Sequence, residues 1–176
     1  MLVLGASGGV GTYAAQIAKA LGAQVTGVAS AAKADLVRSL GADHVLDYRT
    51  EDFAHGSVGY DLIVDTGGMS PLRRLRRALT SRGPLVIVGG ESGARVTGGV
   101  GRQGRAVMLS PFVSQRLTAF LSKEHHTTID RLAELLDSGV VAPAIDRVVA
   151  LEQVPAAMTD LEDGKVRGKV AVRVRR

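Results

Sequence analysis

A chain of 176 residues, 45% of them hydrophobic, can bury the core of one domain, or of one domain and a small part of another. Aromatics amount to 3% with no Trp, so the core must be Val, Leu, Ile and Ala, which suits a parallel sheet covered by helices; the absence of Cys excludes disulfides and thiolate metal sites. The formal net charge of +5 comes from basic residues that form no single tract with interleaved aromatics, which argues against nucleic acid, and no apolar run approaches the roughly 18 residues that a membrane span needs.

Strand and helix signals alternate along the chain. Met1–Leu4 reads as a first strand, a helix follows from Gly9 to Leu21, and Gly22 is its left-handed cap. Only Met1 to Leu4 precede the turn, so the sequence is expected to start inside its first strand. Gln24–Val28 is the second strand, Ala31–Leu40 the second helix, closed by Gly41. His44–Leu46 and Asp61–Val64 are further strands. Ser70 and Pro71 read as an N-cap and first helical residue, opening a helix that buries Leu72, Leu75 and Leu79. Leu85–Val88 is an all-apolar strand. Glu91–Arg105 is glycine-rich and poor in apolar residues, and reads as a loop. Beyond it come a strand at Leu117–Leu121 and a helix with Ile129, Leu132, Leu135 and Leu136 on one face. A strand at Asp146–Ala150, a helix with Val154, Ala157, Met158 and Leu161 inward, and a strand at Lys169–Val174 complete the chain. Strands alternating with helices predict βαβ units and a doubly wound parallel α/β sheet of the Rossmann type.

The most informative segment joins the first strand to the first helix. Its turn reads Gly5-Ala6-Ser7-Gly8-Gly9-Val10-Gly11. A glycine-rich turn between a strand and a helix holds a pyrophosphate on backbone N–H groups at the helix N-terminus. Aligned by its end to G-x-G-x-x-G, the turn has Gly8 and Gly11 in the second and third glycine positions and Ala6 in the first. Gly8 would let backbone approach the phosphates, and Gly11 would let the helix pack on the strand. The alternative is a nucleotide-free turn of an α/β domain.

The end of the second strand offers a second clue. An acidic residue there would bind the ribose 2′-hydroxyl of NAD, and the chain instead has Ser30, followed by Lys33. A hydroxyl and a cation favour a 2′-phosphate, hence NADP. The plainer reading is that Ser30 caps the second helix and Lys33 is solvated. Other candidates read as structural. His125 and His126 lack a ligand spacing, and adjacent His should point opposite ways. Arg73, Arg74, Arg76 and Arg77 form a solvated helix face. Asp47 and Asp65 end strands and are expected to cap loops rather than move protons. No Gly-x-Ser-x-Gly elbow is present.

Four blocks together resemble the quinone oxidoreductase branch of the medium-chain dehydrogenase/reductases: the glycine turn, Gln16-Ile-Ala-Lys-Ala-Leu-Gly-Ala, Leu40-Gly-Ala-Asp-His-Val-Leu-Asp-Tyr and Tyr60-Asp-Leu-Ile-Val-Asp. The tail is similar as well, at Ile145-Asp-Arg, Leu151-Glu-Gln-Val-Pro-Ala-Ala and Gly164-Lys-Val-Arg-Gly-Lys-Val. The resemblance implies NADPH-dependent reduction of quinones, enones or similar carbonyl compounds. It implies that Ala6, Ser7, Gly8, Gly9, Val10 and Gly11 hold the pyrophosphate and that Ser30, Lys33 and Tyr48 face the 2′-phosphate. Gly67 and Gly89 would line the adenosine and nicotinamide sides, and backbone near Phe120 would approach the nicotinamide. The family carries an N-terminal GroES-like substrate domain, to which any zinc ligands would belong, and nothing matches it here. The expected organisation is a dinucleotide-binding unit over 1–140 and a tail over 141–176 that would dock partly on that domain. The expected setting is cytoplasmic, with no membrane or nucleic-acid partner and with a homodimer as the candidate assembly. No residue presents itself as a catalytic acid or base and none as a metal ligand.

Two rival readings are a short-chain dehydrogenase and a non-catalytic dinucleotide-binding or dimerisation module. The first needs Tyr-x-x-x-Lys, and none of Tyr13, Tyr48 or Tyr60 has Lys four residues on.

Overall fold

The computed structural model describes residues 1–55, 59–88, 100–120 and 125–174. Six parallel strands form one sheet: β1 (Leu2–Leu4), β2 (Thr26–Ala29), β3 (His44–Asp47), β4 (Ile63–Asp65), β5 (Leu85–Ile87) and β6 (Leu117–Ala119). Their order is β3-β2-β1-β4-β5-β6. Leu2 pairs with Thr26 on one side of β1 and with Ile63 on the other. The chain therefore changes direction across the sheet between β1 and β4, and the carboxyl ends of those strands flank the crevice where such sheets bind ligands.

The alternation along β1 sorts the core into two layers, because successive strand side chains point to opposite faces. Leu2 and Leu4 join Ile63, Leu75, Leu85, Ile87, Ala106 and Leu117 on one face. Val3 joins Ala15, Ala18, Val25 and Val37 on the other. Helices α1 (Gly11–Ala20) and α2 (Ala34–Ser39) cover the second face; α3 (Leu72–Ala78) and α4 (Val100–Leu109) contribute Leu75 and Ala106 to the first. A single 3₁₀ turn, Ala31–Lys33, precedes α2. Gly22 and Gly41 close α1 and α2 at φ of 80° and 95°, the left-handed region that glycine enters most cheaply.

Residues 125–174 add α5 (His126–Asp137), β7 (Ile145–Ala150), α6 (Val154–Glu162) and β8 (Lys169–Arg173). β7 and β8 pair in parallel as a separate two-stranded sheet. Such a pair is marginal alone, and three contacts fasten it to the rest. The Gln16 side chain donates to the Ala142 carbonyl at 2.9 Å and accepts from the Ala142 N–H at 2.8 Å. The Gly168 N–H donates to the Ser7 carbonyl at 2.8 Å. Lys33 Nζ donates to the carbonyls of Gly164 and Val166, each at 2.6 Å.

The structure departs from the sequence reading at several elements. The stretch expected to be a loop through Arg105 contains α4 from Val100 onward; residues 91–99 lie outside the described residues. Pro71 takes the N-cap position of α3 in extended backbone, and no side chain caps it. In α6 only Ala157 is buried, while Met158 and Leu161 are half exposed rather than inward. The apolar stripe of α5 is only partly covered: Ile129 is 61% exposed, Leu135 and Leu136 are half-buried, and no residue of the helix is buried. His125 and His126 stack their rings, 4.7 Å apart, instead of diverging.

Candidate functional site: the glycine turn and the carboxyl edge of the sheet

β1 ends at Leu4 and the chain turns at once. Gly5 takes φ 75°, and a Cβ there would lie 2.7 Å from Thr66 Oγ1 and 3.0 Å from the Gly67 nitrogen. Gly5, rather than Ala6, is thus the first glycine that the turn requires. Its carbonyl accepts the Gly8 N–H at 3.0 Å, and the Gly8 carbonyl accepts the Thr12 N–H at 3.0 Å, which starts α1. Ala6 is fully buried, its N–H tied to the Val28 carbonyl at 3.1 Å. A Cβ on Gly11 would overlap the Gly5 carbonyl oxygen, so this glycine allows helix and turn to touch.

Gly8 differs from Gly11. A Cβ there would meet only the Gly5 oxygen, at 3.3 Å, with no other neighbour inside contact distance. Apart from that oxygen, the space over Gly8 holds no neighbour. Among the described residues, the N–H groups of Gly9, Val10 and Gly11 find no acceptor. Unpaired donors at the positive end of a helix, beside a glycine with open space above it, fit a diphosphate. Val10 is 53% exposed at the rim, and Ser7 turns its carbonyl to the tail.

The adenosine side lies at the carboxyl ends of β2 and β3. Ala29 pairs with Asp47, and the Tyr48 N–H donates to the Ala29 carbonyl at 3.2 Å, so Ser30 and Tyr48 emerge side by side. Ser30 makes no side-chain cap bond to the turn it opens, which leaves its hydroxyl for another partner. It lines a cleft of about 330 Å³ with Arg38, Asp47, Thr50 and Glu51. Tyr48 is exposed, with the Arg49 guanidinium 5.6 Å from its ring centre. Lys33 is neither solvated nor aimed freely into this cleft, because its ammonium serves the two tail carbonyls. Burial lowers its pKa from the ordinary lysine value, Asp146 opposes that shift and Arg167 adds to it. Two of its three N–H donors are occupied, leaving one for a ligand oxygen.

Across β1, the Thr66 hydroxyl donates to the Leu4 carbonyl at 2.7 Å and brings Gly67 against the turn. A Cβ on Gly67 would make ordinary contact with the turn, the Gly5 nitrogen lying nearest at 3.5 Å. Phe120 stands at the end of β6, 53% exposed, its N–H on the Ile87 carbonyl at 2.8 Å. Gly89 lies outside the described residues. Asp47 and Asp65 act as loop caps: Asp47 accepts the Arg49 N–H at 3.0 Å, and Asp65 accepts the Gly68 N–H at 3.0 Å.

Sequence reasoning missed Gly5, Thr66 and Lys169. Gly5 was legible, as a glycine directly after a strand; Thr66 and Lys169 carry no local signal. A Cβ on Gly9 would lie 3.2 Å from Lys169 Nζ, which places that ammonium over the turn.

This strand–turn–helix at the reversal point of a doubly wound sheet defines a Rossmann-type dinucleotide-binding domain. A family model for zinc-binding dehydrogenases matches residues 40–172, and the chain belongs to that family, in the quinone oxidoreductase branch of the medium-chain dehydrogenase/reductases. It is 35% identical to the mitochondrial NAD(P)H oxidoreductase RTN4IP1 of Mus musculus, over 98% of this chain and 47% of the mouse protein. Its fold is similar to the quinone oxidoreductase of Coxiella burnetii, with a TM-score of 0.84 at 27% identity over 99% of this chain and 52% of that one. A mycobacterial protein solved with NADPH gives 0.76 at 27% identity, covering 98% and 56%. The chain thus spans about half the length of the curated relatives it matches. No cluster of three or more His, Cys, Asp or Glu among the described residues could hold a metal, so the family's zinc has no fitting donor set in them.

Proposed function

We propose that this chain is the cofactor-binding portion of an NADPH-dependent oxidoreductase that reduces quinones, enones or related carbonyl compounds. The observation that carries the reading is the open glycine turn with three unpaired N–H donors at the start of α1. When bound, the dinucleotide supplies the hydride. The chain's own residues hold it: the turn takes the diphosphate, and Gly67 and Phe120 flank the path to the nicotinamide. NADP rather than NAD is supported by the absence of an acidic residue at the end of β2, by the uncapped Ser30 hydroxyl and by the spare N–H of Lys33. In this reading residues 1–140 bind the cofactor and 141–176 would dock partly on a substrate domain. A cytoplasmic homodimer is the proposed setting; no helix among the described residues is long and apolar enough to cross a membrane.

Titration calorimetry tests the reading. NADPH should bind more tightly than NADH by roughly 10- to 100-fold, the value of one charge-assisted contact. Lys33→Ala should remove most of that gap, with a far larger loss for NADPH than for NADH. Equal affinities in the unsubstituted chain would overturn the NADP assignment, and no binding of either would overturn the dinucleotide reading.

A further inference from the structure

We infer that the outer face of α4, with the turn that follows it, docks on an anionic phospholipid surface. The inference goes beyond the dinucleotide reading and uses none of its residues. α4 runs directly into a single 3₁₀ turn, Ser110–Phe112. One side of this element is core: Ala106 is fully buried, and Leu109 and Val113 pack against the same cluster. The other side is bare. Arg105, Met108 and Phe112 follow the i, i+3, i+7 spacing of one helical face, and Val107 lies beside Met108. Phe112 is 84% exposed, Met108 76% and Val107 52%. Single exposed apolar side chains are ordinary, but a group of them on one face marks a contact surface.

The rim of this face is cationic. Ser110 Oγ accepts the Leu117 N–H at 3.1 Å, which folds the turn back onto the start of β6. The Ser114 hydroxyl donates to the Ser81 carbonyl at 2.5 Å and so draws Arg82 toward the same turn. Gln115 is buried, its amide on the carbonyls of Arg76 and Thr80, and the next residue in this extended stretch, Arg116, points outward. Arg82, Arg105 and Arg116 are all exposed, and no carboxylate pairs with them among the described residues. Charge then selects the occupant. A second copy docking by two-fold symmetry would set an arginine-rimmed face against itself. A bilayer with anionic headgroups has the opposite sign, and guanidinium forks match phosphate oxygens. Phe112, Met108 and Val107 would enter the boundary of headgroups and acyl chains while the arginines stay among the headgroups. The net charge of +5 attracts the whole chain in the same direction. Such docking needs no membrane span. The long apolar run missing from the sequence therefore does not count against it, because this patch is assembled only by the fold.

Vesicle flotation tests the inference. The unsubstituted chain should float with vesicles of equal parts phosphatidylglycerol and phosphatidylcholine, stay behind with phosphatidylcholine alone, and be released by salt. Arg82→Gln, Arg105→Gln and Arg116→Gln together should weaken that binding by about 100-fold, roughly 5-fold per cation. The sequence has no Trp, so Phe112→Trp introduces a single indole. Its emission should move to shorter wavelength on the mixed vesicles only. Met108→Ser with Phe112→Ser should abolish flotation, and each of these variants should keep the melting temperature of the unsubstituted chain. Three results would each overturn the inference: no flotation of the unsubstituted chain at low salt, flotation indifferent to headgroup charge, or flotation unchanged in the triple arginine variant. A dimer of the unsubstituted chain that Phe112→Ser converts to monomer without vesicles would overturn it too, since a second copy would then cover the patch. Failure to bind NADPH or NADH overturns the dinucleotide reading and leaves this inference standing.

Discussion

The Arg102 guanidinium lies 2.6 Å from the Asp65 carboxylate and 2.8 Å from the Ser70 carbonyl oxygen. Asp65 ends β4 with 1% of its surface exposed, and Arg102 comes from the first turn of α4. The other Asp65 oxygen accepts the Gly68 N–H, so one carboxylate fixes both the helix and the loop beside Gly67. Removing one partner of a buried pair strands the other charge, at a cost of about 3–5 kcal/mol. Asp65→Ala should therefore destabilise the chain by that order in urea titrations. Asp65→Asn should cost less, because its amide oxygen can still accept from Gly68. A loss below about 1 kcal/mol for Asp65→Ala would show that the pair is solvated in solution.

This pair also explains where sequence reading ran out. The β1–turn–α1 unit is legible because its apolar run, glycines and helical stripe are adjacent in the chain. Helix α4 is not, since Gly101 and Gly104 sit inside it and weaken its local preference. It is held by tertiary contacts that no window reveals: Ala106 buried against β6, and Arg102 on Asp65. The stripes of α5 and α6 were visible, but periodicity tells which residues share a face and not whether anything covers it. At the site, the turn and Ser30 were readable. The commitment of Lys33 to Gly164 and Val166 joins positions 131 and 133 residues apart, and nothing near Lys33 announces it.

Gly8 and Gly11 are glycines for different reasons, and substitution should separate them. Gly11→Ala forces a Cβ into the Gly5 carbonyl and should lower the melting temperature strongly, since backbone cannot yield as a side chain can. A Cβ on Gly8 meets one backbone oxygen, at a tight 3.3 Å, so Gly8→Val should fold with a melting temperature lowered less than that of Gly11→Ala. The Gly8→Val chain should nonetheless lose NADPH and NADH together, because the side chain fills the space over the turn. A folded Gly8→Val chain with undiminished NADPH affinity would make this turn purely structural.

Asp43 should give the fold a measurable acid dependence. Lys19 Nζ lies 2.5 Å from its carboxylate, and the Val25 N–H donates to its other oxygen at 2.8 Å. These partners, Lys19 first, hold its pKa below the usual carboxylate value. With the folded pKa below the unfolded one, the stabilisation is complete above the unfolded value and disappears as pH falls through the folded one. Asp43→Asn should then melt earlier than the unsubstituted chain at neutral pH, and the two should converge in strong acid. Parallel melting curves with a constant gap at all pH values would rule out the carboxylate's charge as the cause.

The last expectation concerns turnover. Hydride transfer needs the acceptor fixed against the nicotinamide, and such positioning supplies about 7–11 kcal/mol of barrier reduction. On the proposed nicotinamide side the described residues offer Gly67 and a half-exposed Phe120. The tail is similarly uncovered. Ile145, Val148, Leu151, Met158, Leu161, Val172 and Val174 are between 43% and 70% exposed, whereas Val141 is buried. The chain spans about half the length of its curated relatives. The 176-residue chain should accordingly bind NADPH, reduce quinones far below the ~10 s⁻¹ of an ordinary enzyme, and self-associate through the apolar tail. Sedimentation combined with a steady-state assay checks both parts. Quinone turnover near ~10 s⁻¹ by a monodisperse monomer would mean that these residues already contain a complete substrate site.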